Sequence, residues 1–399
     1  MTTPGRSRQV LRQLVWPAFV PTFLFSVGTG ASTPVVLVAA LSLGFGQAAA
    51  AALVSSLALA AVVGSGPAGL LIARLGERRS MLAAAALSVL SLTACLAALA
   101  AGSAGPGGRG LFVAGVLGLA LADVFFGLAR QTMVAEAVPA DVRARAMSTF
   151  GGVQRAGRLV GPVLGSGVIA LTSVAGGFWV QLVAVLLAAV VVLRVPAGAA
   201  GRSALVTLTG GPVARVDVRL VALVLVGVLT LALARGNRDV VLPLWGTELQ
   251  LDPALISLVF AGVSAVELLL FLPAGVLMDR HGRVAVVVPC LVLVAVGFLL
   301  VPLGGLAGYL GGAVLIGIGN GLGAGIVKTL GADLSPEGGR ARFLGWWTGA
   351  VQLGQVAGPV MISVGALLGA LAAAVQLTGV VALLGAGWFL VLRRRGLLR

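Results

Sequence analysis

The chain has 399 residues, 59% of them hydrophobic and only 10% charged, with a mean hydropathy of +1.12. A soluble domain carries about 25% charged residues, so the composition excludes an ordinary soluble globular protein and indicates a bilayer one. The formal charge of +15 would suggest a nucleic-acid partner in a soluble chain. Here the basic residues gather at the ends of apolar runs, which is the positive-inside pattern, and no nucleic-acid partner is expected.

A hydrocarbon core of about 30 Å takes roughly 20 apolar residues per helix. That ruler predicts twelve spans, near residues 14–40, 47–73, 80–101, 110–133, 146–171, 174–194, 218–245, 254–277, 284–302, 310–331, 344–365 and 371–392. Arg6, Arg8 and Arg12 precede the first run. That run is too long for a signal-peptide core and lacks a clear small-residue cleavage site, so it is expected to be retained. With the N-terminus inside, the termini and the even-numbered loops hold the arginine clusters, while the outer loops hold Arg109 and the acids Glu248 and Asp252. This asymmetry places both termini in the cytoplasm of a cell (plasma or inner) membrane protein.

Cys95 and Cys290 both lie inside apolar runs, which suggests neither a disulfide nor a metal site. The stretch after Val195 is the longest connector, rich in Gly, Ala, Thr and Arg. It predicts a six-span bundle over 1–195, a cytoplasmic linker over 196–217 and a second bundle over 218–399.

The two halves repeat. A shift of 197 carries Thr132, Ala135, Pro139, Arg143, Ala144 and Arg145 onto Thr329, Ala332, Pro336, Arg340, Ala341 and Arg342, and Gly157, Gly161 and Pro162 onto Gly354, Gly358 and Pro359. A shift of 206 aligns Gly30, Gly69 and Gly76 with Gly236, Gly275 and Gly282. Parallel six-span repeats place a substrate site between the halves near the midplane.

Between spans 8 and 9 an apolar run breaks into G-x-L-x-D-R-x-G-R: Gly275, Leu277, Asp279, Arg280, Gly282 and Arg283. A second copy carries Gly69, Leu71, Arg74, Gly76, Glu77, Arg78 and Arg79, with Ala73 at the acidic position. With these motifs the chain resembles the major facilitator superfamily over essentially its whole length. Its nearest likeness there is to the twelve-span drug/proton antiporter-like exporters, although Val116 stands near the place of that subgroup's span 4 arginine.

The resemblance implies an all-α integral membrane fold of twelve transmembrane helices in two pseudo-symmetric six-helix bundles. It implies a cytoplasmic latch built from Gly275, Asp279, Arg280, Gly282, Arg283, Gly69, Arg74, Gly76 and Arg78. The acid–base pairs Glu136 with Arg143 and Asp333 with Arg340 add to it. It also makes Gly157, Gly161, Pro162, Gly354, Gly358 and Pro359 a motif of helices that cross between the bundles.

Charges inside the spans are costly, about 2.5–3.5 kcal/mol each on insertion scales, so each one present calls for a role or a partner. Glu267 lies twelve residues before Asp279, roughly 18 Å from the cytoplasmic edge. Glu267 is the expected first proton carrier and Asp123, deep in span 4, the second. Arg155, Arg158, Arg235, Arg238 and Asp239 are expected to line the cavity or to pair with its acids. Arg235 and Asp239, at i and i+4, can pair along one helix face. The glycines Gly317 to Gly325 of span 10 favour close helix packing. Trp16, Trp179, Trp245, Trp346, Trp347 and Trp388 lie near span ends and read as interface anchors.

No nucleophile elbow, P-loop or metal-ligand spacing occurs, so neither an enzyme nor a metal site is expected. The expected function is secondary active transport by alternating access: proton-coupled export of a small amphiphilic compound, by a monomer needing no cofactor beyond a proton gradient. Import or facilitated passage of an anionic metabolite is the alternative, and a membrane sensor that moves nothing is a third.

Overall fold

The computed structural model describes residues 12, 14–102, 106–137, 140–194, 217–336 and 340–398, and among these there are helices and short turns but no strand. A π-helical stretch, Val15–Phe19, leads into α1, Val20–Ser42. There follow α2 (Gln47–Leu75), α3 (Glu77–Ala101), α4 (Pro106–Ala137), α5 (Ala140–Leu171) and α6 (Gly176–Arg194). The second half comprises α7 (Val218–Glu248), α8 (Pro253–His281), α9 (Val284–Leu300), α10 (Gly305–Leu322), α11 (Ile326–Leu334), α12 (Arg340–Leu367) and α13 (Leu371–Arg394). Each predicted span is one of these helices, except that the tenth is broken into α10 and α11. The predicted linker, apart from Asp217, lies outside the described residues.

Among the described residues, nine helices are long and apolar enough to cross a membrane, and Gln47–Leu57 and Val284–Leu300 are shorter apolar helices. Their outer faces are apolar. On α6, Trp179, Val183, Leu186, Leu187, Val190 and Leu193 are all exposed, at the three-and-four spacing of one helix stripe. In a soluble protein that stripe would be buried; here it suits lipid.

Local chemistry sets the ends. Asp217 caps α7 by accepting the Leu220 N–H at 3.0 Å, and Asp252 caps α8 by accepting the Ala254 N–H at 2.7 Å ahead of Pro253 in the first turn. The two repeated hairpins turn on Gly76 (φ 78°, ψ 161°) and Gly282 (φ 87°, ψ 172°). That backbone region is open essentially to glycine alone, so both copies of the motif need glycine there for the same reason.

The chain divides into two compact units, residues 1–44 with 59–207, and 45–58 with 208–399. The start of α2 therefore groups with the second unit, where Gln47 hydrogen-bonds Glu248 and the Ser363 hydroxyl donates to the Ala48 carbonyl at 2.8 Å. Within the first unit α1 packs on α5 and α6, and α3 packs on α4 and α6. The second unit repeats the scheme, with α7 on α12 and α13, and α9 on α10 and α13.

The glycine motif explains the tightest of these pairings. A side-chain carbon at Gly157 would meet the Phe23 carbonyl at 2.6 Å, and one at Gly161 would collide with the Val27 carbonyl. The equivalents Gly354 and Gly358 face Leu229 and Leu233 on α7, which are Phe23 and Val27 shifted by 206. Gly30 and Gly236 complete the pattern from the other side, against the backbones of Arg158 and Gln355. Within each unit these glycines let two helices touch backbone to backbone.

Two tryptophans also depart from expectation. Trp347 is only 3% exposed and its indole N–H donates to the Val327 carbonyl at 3.0 Å, while Trp388 donates to the Leu223 carbonyl at 2.7 Å. They join α12 to α11 and α13 to α7. Trp16, Trp179 and Trp346 are exposed, as interface anchors are.

Candidate transport site

The interior of α7 reads Arg235-Gly236-Asn237-Arg238-Asp239 and stays helical throughout. Gly236 is what allows α12 to press against it. Asn237 points into the unit and donates to the Thr378 hydroxyl of α13 at 2.7 Å. Arg235 is turned toward the end of α10 and Arg238 toward α8.

Arg238 is the hub. Its guanidinium lies 3.2 Å from a Glu267 carboxylate oxygen on α8 and 3.6 Å from Asp239. It donates to the Ser264 hydroxyl at 2.9 Å and sits 4.6 Å from the centroid of the Phe260 ring. Arg238 is 13% exposed and Glu267 23%, so the pair is shielded, and a shielded ion pair is strong only when its remaining donors and acceptors are also met. Here they are not all met: Glu267 Oε1 and Arg238 Nε are buried without a hydrogen-bond partner among the described residues. Asn320 of α10 stands beside Glu267. Gly321 lets α10 approach, since a carbon added there would meet the Glu267 backbone at 3.0 Å.

Arg235 does not pair with Asp239, as the i, i+4 spacing had suggested. Its Nη2 donates to the Gly323 carbonyl at 2.5 Å, at the point where α10 ends and before α11 begins. The Gly323 carbonyl also accepts the Ile326 N–H at 3.1 Å, so Arg235 and the first turn of α11 share one acceptor at the break. Arg238, three residues further along α7, takes Asp239 instead. The glycine run of span 10 thus does two things: Gly317, Gly319 and Gly321 pack closely on α8 and α9, and Gly323 to Gly325 interrupt the helix.

In the first unit the interior charges lie on α4 and α5. Asp123 is half-buried, Arg155 is half-buried and engaged, and Arg158 is exposed. Arg130, by contrast, is 1% exposed. Lys328 is exposed on α11.

Of the expected latch, Arg283 and Arg78 make contacts among the described residues. Arg283 Nε meets an Asp333 carboxylate oxygen at 2.9 Å and Nη1 donates to the Met278 carbonyl at 3.2 Å. Arg78 turns back to the end of α6, donating to the Val192 carbonyl at 3.2 Å and the Leu193 carbonyl at 2.7 Å, as a cation at a helix C-terminus does. Arg74 and Arg280 are exposed, and Gly69 and Gly275 lie in the last turns of α2 and α8. The side chains of Asp279, Glu136, Arg143 and Arg340 lie outside the described residues. Asp333, expected to pair with Arg340, has Arg283 as a partner. Nothing in the sequence spacing announces that contact, because it joins the α8–α9 turn to α11. Among the described residues no cluster of His, Cys, Asp and Glu is suited to a metal ion.

Comparison with solved structures shows the same architecture at low identity. A POT family transporter in complex with a thioalcohol-conjugated peptide aligns with a TM-score of 0.78 and 14% identity, covering 98% of this chain and 96% of that one. A D-xylose-proton symporter aligns at 0.71 and 16%, covering 95% and 96%. The human organic anion transporter MFSD10 (TETRAN) aligns at 0.63 and 19%, covering 97% and 100%. A search of curated proteins by sequence gives no match.

The family model described as Major Facilitator Superfamily matches residues 18–234 and again 224–398, one match for each of the halves that repeat. Members of that family are transporters of small molecules across membranes, not enzymes. This multi-pass membrane chain, with its twelve helices in two pseudo-symmetric bundles, belongs to the major facilitator superfamily.

Proposed function

We propose that the protein is a secondary active transporter that exports a small amphiphilic compound, a drug or secondary metabolite, in exchange for protons. It works by alternating access as a monomer of the cell membrane, with both termini in the cytoplasm and the residues after Val195 linking bundles of 1–195 and 218–399. Glu267 is the proton carrier and Asp123 a second one. The latch residues, with Arg283 and Asp333 among them, break and re-form as the state changes.

The observation that carries this reading is the Arg238–Glu267 pair. One Glu267 oxygen is held at 3.2 Å and the other has no hydrogen-bond partner among the described residues. A proton on that free oxygen neutralises the carboxylate and removes the main attraction holding Arg238 on α8. Arg238 still has Asp239 within 3.6 Å, so it has somewhere to go. Loading a proton thereby changes which helix the guanidinium is tied to, which is the coupling that an exchanger requires. The name of the D-xylose-proton symporter shows that the fold serves proton coupling elsewhere.

Purified protein in proteoliposomes with an internal pH dye tests this. Under an imposed proton gradient, lipophilic cations, neutral drugs or organic anions should drive proton movement in the native protein and not in Glu267→Gln. Substrate flux that leaves the dye unchanged, and is the same in the variant, overturns it. A second reading, import or facilitated passage of an anionic metabolite, is favoured by the arginine-rich interior of α4 and α5; it predicts loss of flux in Arg235→Ala and none in Glu267→Gln.

A further inference from the structure

In the second unit the interior cations Arg235 and Arg238 face the acids Asp239 and Glu267, so that cluster is balanced in itself. The first unit is not balanced. The middle stretches of α4 and α5 hold Arg130, Arg155 and Arg158 against Asp123 alone.

Arg130 is the most deeply placed of these. Its guanidinium lies among three rings from three helices: Phe126 of α4 at 4.6 Å, Phe25 of α1 at 5.4 Å and Phe150 of α5 at 5.8 Å. Phe25 and Phe126 are themselves stacked, with centroids 4.0 Å apart and planes 10° from parallel. Nε donates to the Phe126 carbonyl at 3.2 Å, but Nη1 is buried with no hydrogen-bond partner among the described residues. The charges that act on it are Asp123, two turns earlier on the same helix, and Arg158, of the same sign. Neither Arg130 nor Arg158 is in an ion pair among the described residues.

Ring faces compensate a buried cation only in part, and removing a guanidinium from water without a paired anion is strongly unfavourable. Asp123 lies roughly 10 Å earlier along the helix axis and forms no ion pair with Arg130 among the described residues. Among the described residues this buried cation therefore has an unmet N–H and no carboxylate in contact with it.

We infer that Arg130 is the binding group for an anionic moiety on the transported compound, a carboxylate attached to a flat apolar or aromatic body, with Arg158 as the second cation. The carboxylate fits the planar donor fork, and Nη1 is the donor left open for it. The apolar body packs against the Phe25, Phe126 and Phe150 rings that surround the guanidinium. The first unit then reads the substrate while the balanced cluster of the second handles the proton. This deepens the substrate class of the proposed transport, and it does not depend on proton coupling.

Binding is measured on purified protein in nanodiscs with three probes of one shape: 1-naphthoate, 1-naphthylmethylamine and 1-naphthalenemethanol. The native protein should bind naphthoate in preference to the other two. Arg130→Gln should weaken naphthoate about ten- to hundredfold, the loss of a charge-assisted hydrogen bond. Arg130→Lys, which keeps the charge and loses the fork, should weaken it less. Arg158→Gln removes an exposed side chain, leaves folding intact and should weaken it severalfold. Binding is read at equilibrium with no proton gradient imposed, so that failure of the proton reading and failure of this one are separate results. Absence of naphthoate binding in the native protein, equal binding by the amine or the alcohol, or undiminished binding in both Arg158→Gln and a folded Arg130 variant overturns the inference.

Discussion

Arg238 and Glu267, on α7 and α8, lie 3.2 Å apart while the second Glu267 oxygen and Arg238 Nε have no hydrogen-bond partner among the described residues. A pair so placed is strong enough to hold two helices and incomplete enough to be exchanged. The same guanidinium is also within reach of Asp239, Ser264 and the Phe260 ring, so a change at Glu267 redistributes its contacts.

Removing one partner should therefore cost more than removing both. Glu267→Gln and Arg238→Gln should each lower stability, and the double variant should recover part of the loss. The coupling energy should be about 1–3 kcal/mol, the range for groups in direct contact. Reversible unfolding in mixed micelles measures it, and a coupling near zero would mean that the two side chains do not interact in the folded protein.

Backbone contact at the glycine motif gives a second expectation. Gly161→Ala and Gly358→Ala should each destabilise by about 1–3 kcal/mol, because the added carbon meets the Val27 or Leu233 carbonyl and the helices must separate. Gly167→Ala on α5 has nothing within 4 Å and should stabilise by roughly 0.5–1 kcal/mol through helix propensity alone. Melting midpoints of the three variants, compared side by side, test the contrast.

Much of this packing was readable from the chain. The offsets of 197 and 206 identified which residues are equivalent, and the equivalent residues make equivalent contacts: Gly157 with Phe23, Gly354 with Leu229. Span ends were legible because lipid demands long apolar helices and glycine supplies the turns. The site was legible only as a set of residue types. Spacing along α7 suggested Arg235 with Asp239, but the break in the tenth span turns the Gly323 carbonyl toward Arg235, and that is a tertiary fact. The ring cage of Arg130 draws on residues 25, 126 and 150, which no periodicity connects. The inward face of Trp347 was hidden likewise, since a tryptophan at a span end is the same in sequence whether it meets lipid or α11.

The turn glycines should be intolerant in both repeats. Gly76→Ala and Gly282→Ala force a side chain into a backbone region that only glycine occupies comfortably, at about 1–3 kcal/mol each. Both should melt earlier than the native protein, while Gly167→Ala does not. Equal stability of the Gly282 variant would mean that the α8–α9 turn relaxes to another conformation.

The contact between Arg283 and Asp333 makes the last expectation. The two side chains are 27% and 46% exposed, and an exposed pair contributes about 0–1 kcal/mol. Asp333→Asn should thus leave the melting midpoint nearly unchanged. If the pair is part of a latch that opens during transport, its effect lies in rate instead, because a small energy divided unequally between two states shifts their populations. Transport by Asp333→Asn should change severalfold at constant stability, and the charge exchange Arg283→Asp with Asp333→Arg should restore it toward the native rate. Raising the salt concentration should mimic Asp333→Asn in the native protein and do little in that variant. A native rate indifferent to salt, with no rescue by the exchange, would make the pair a surface contact that anchors α11 and nothing more.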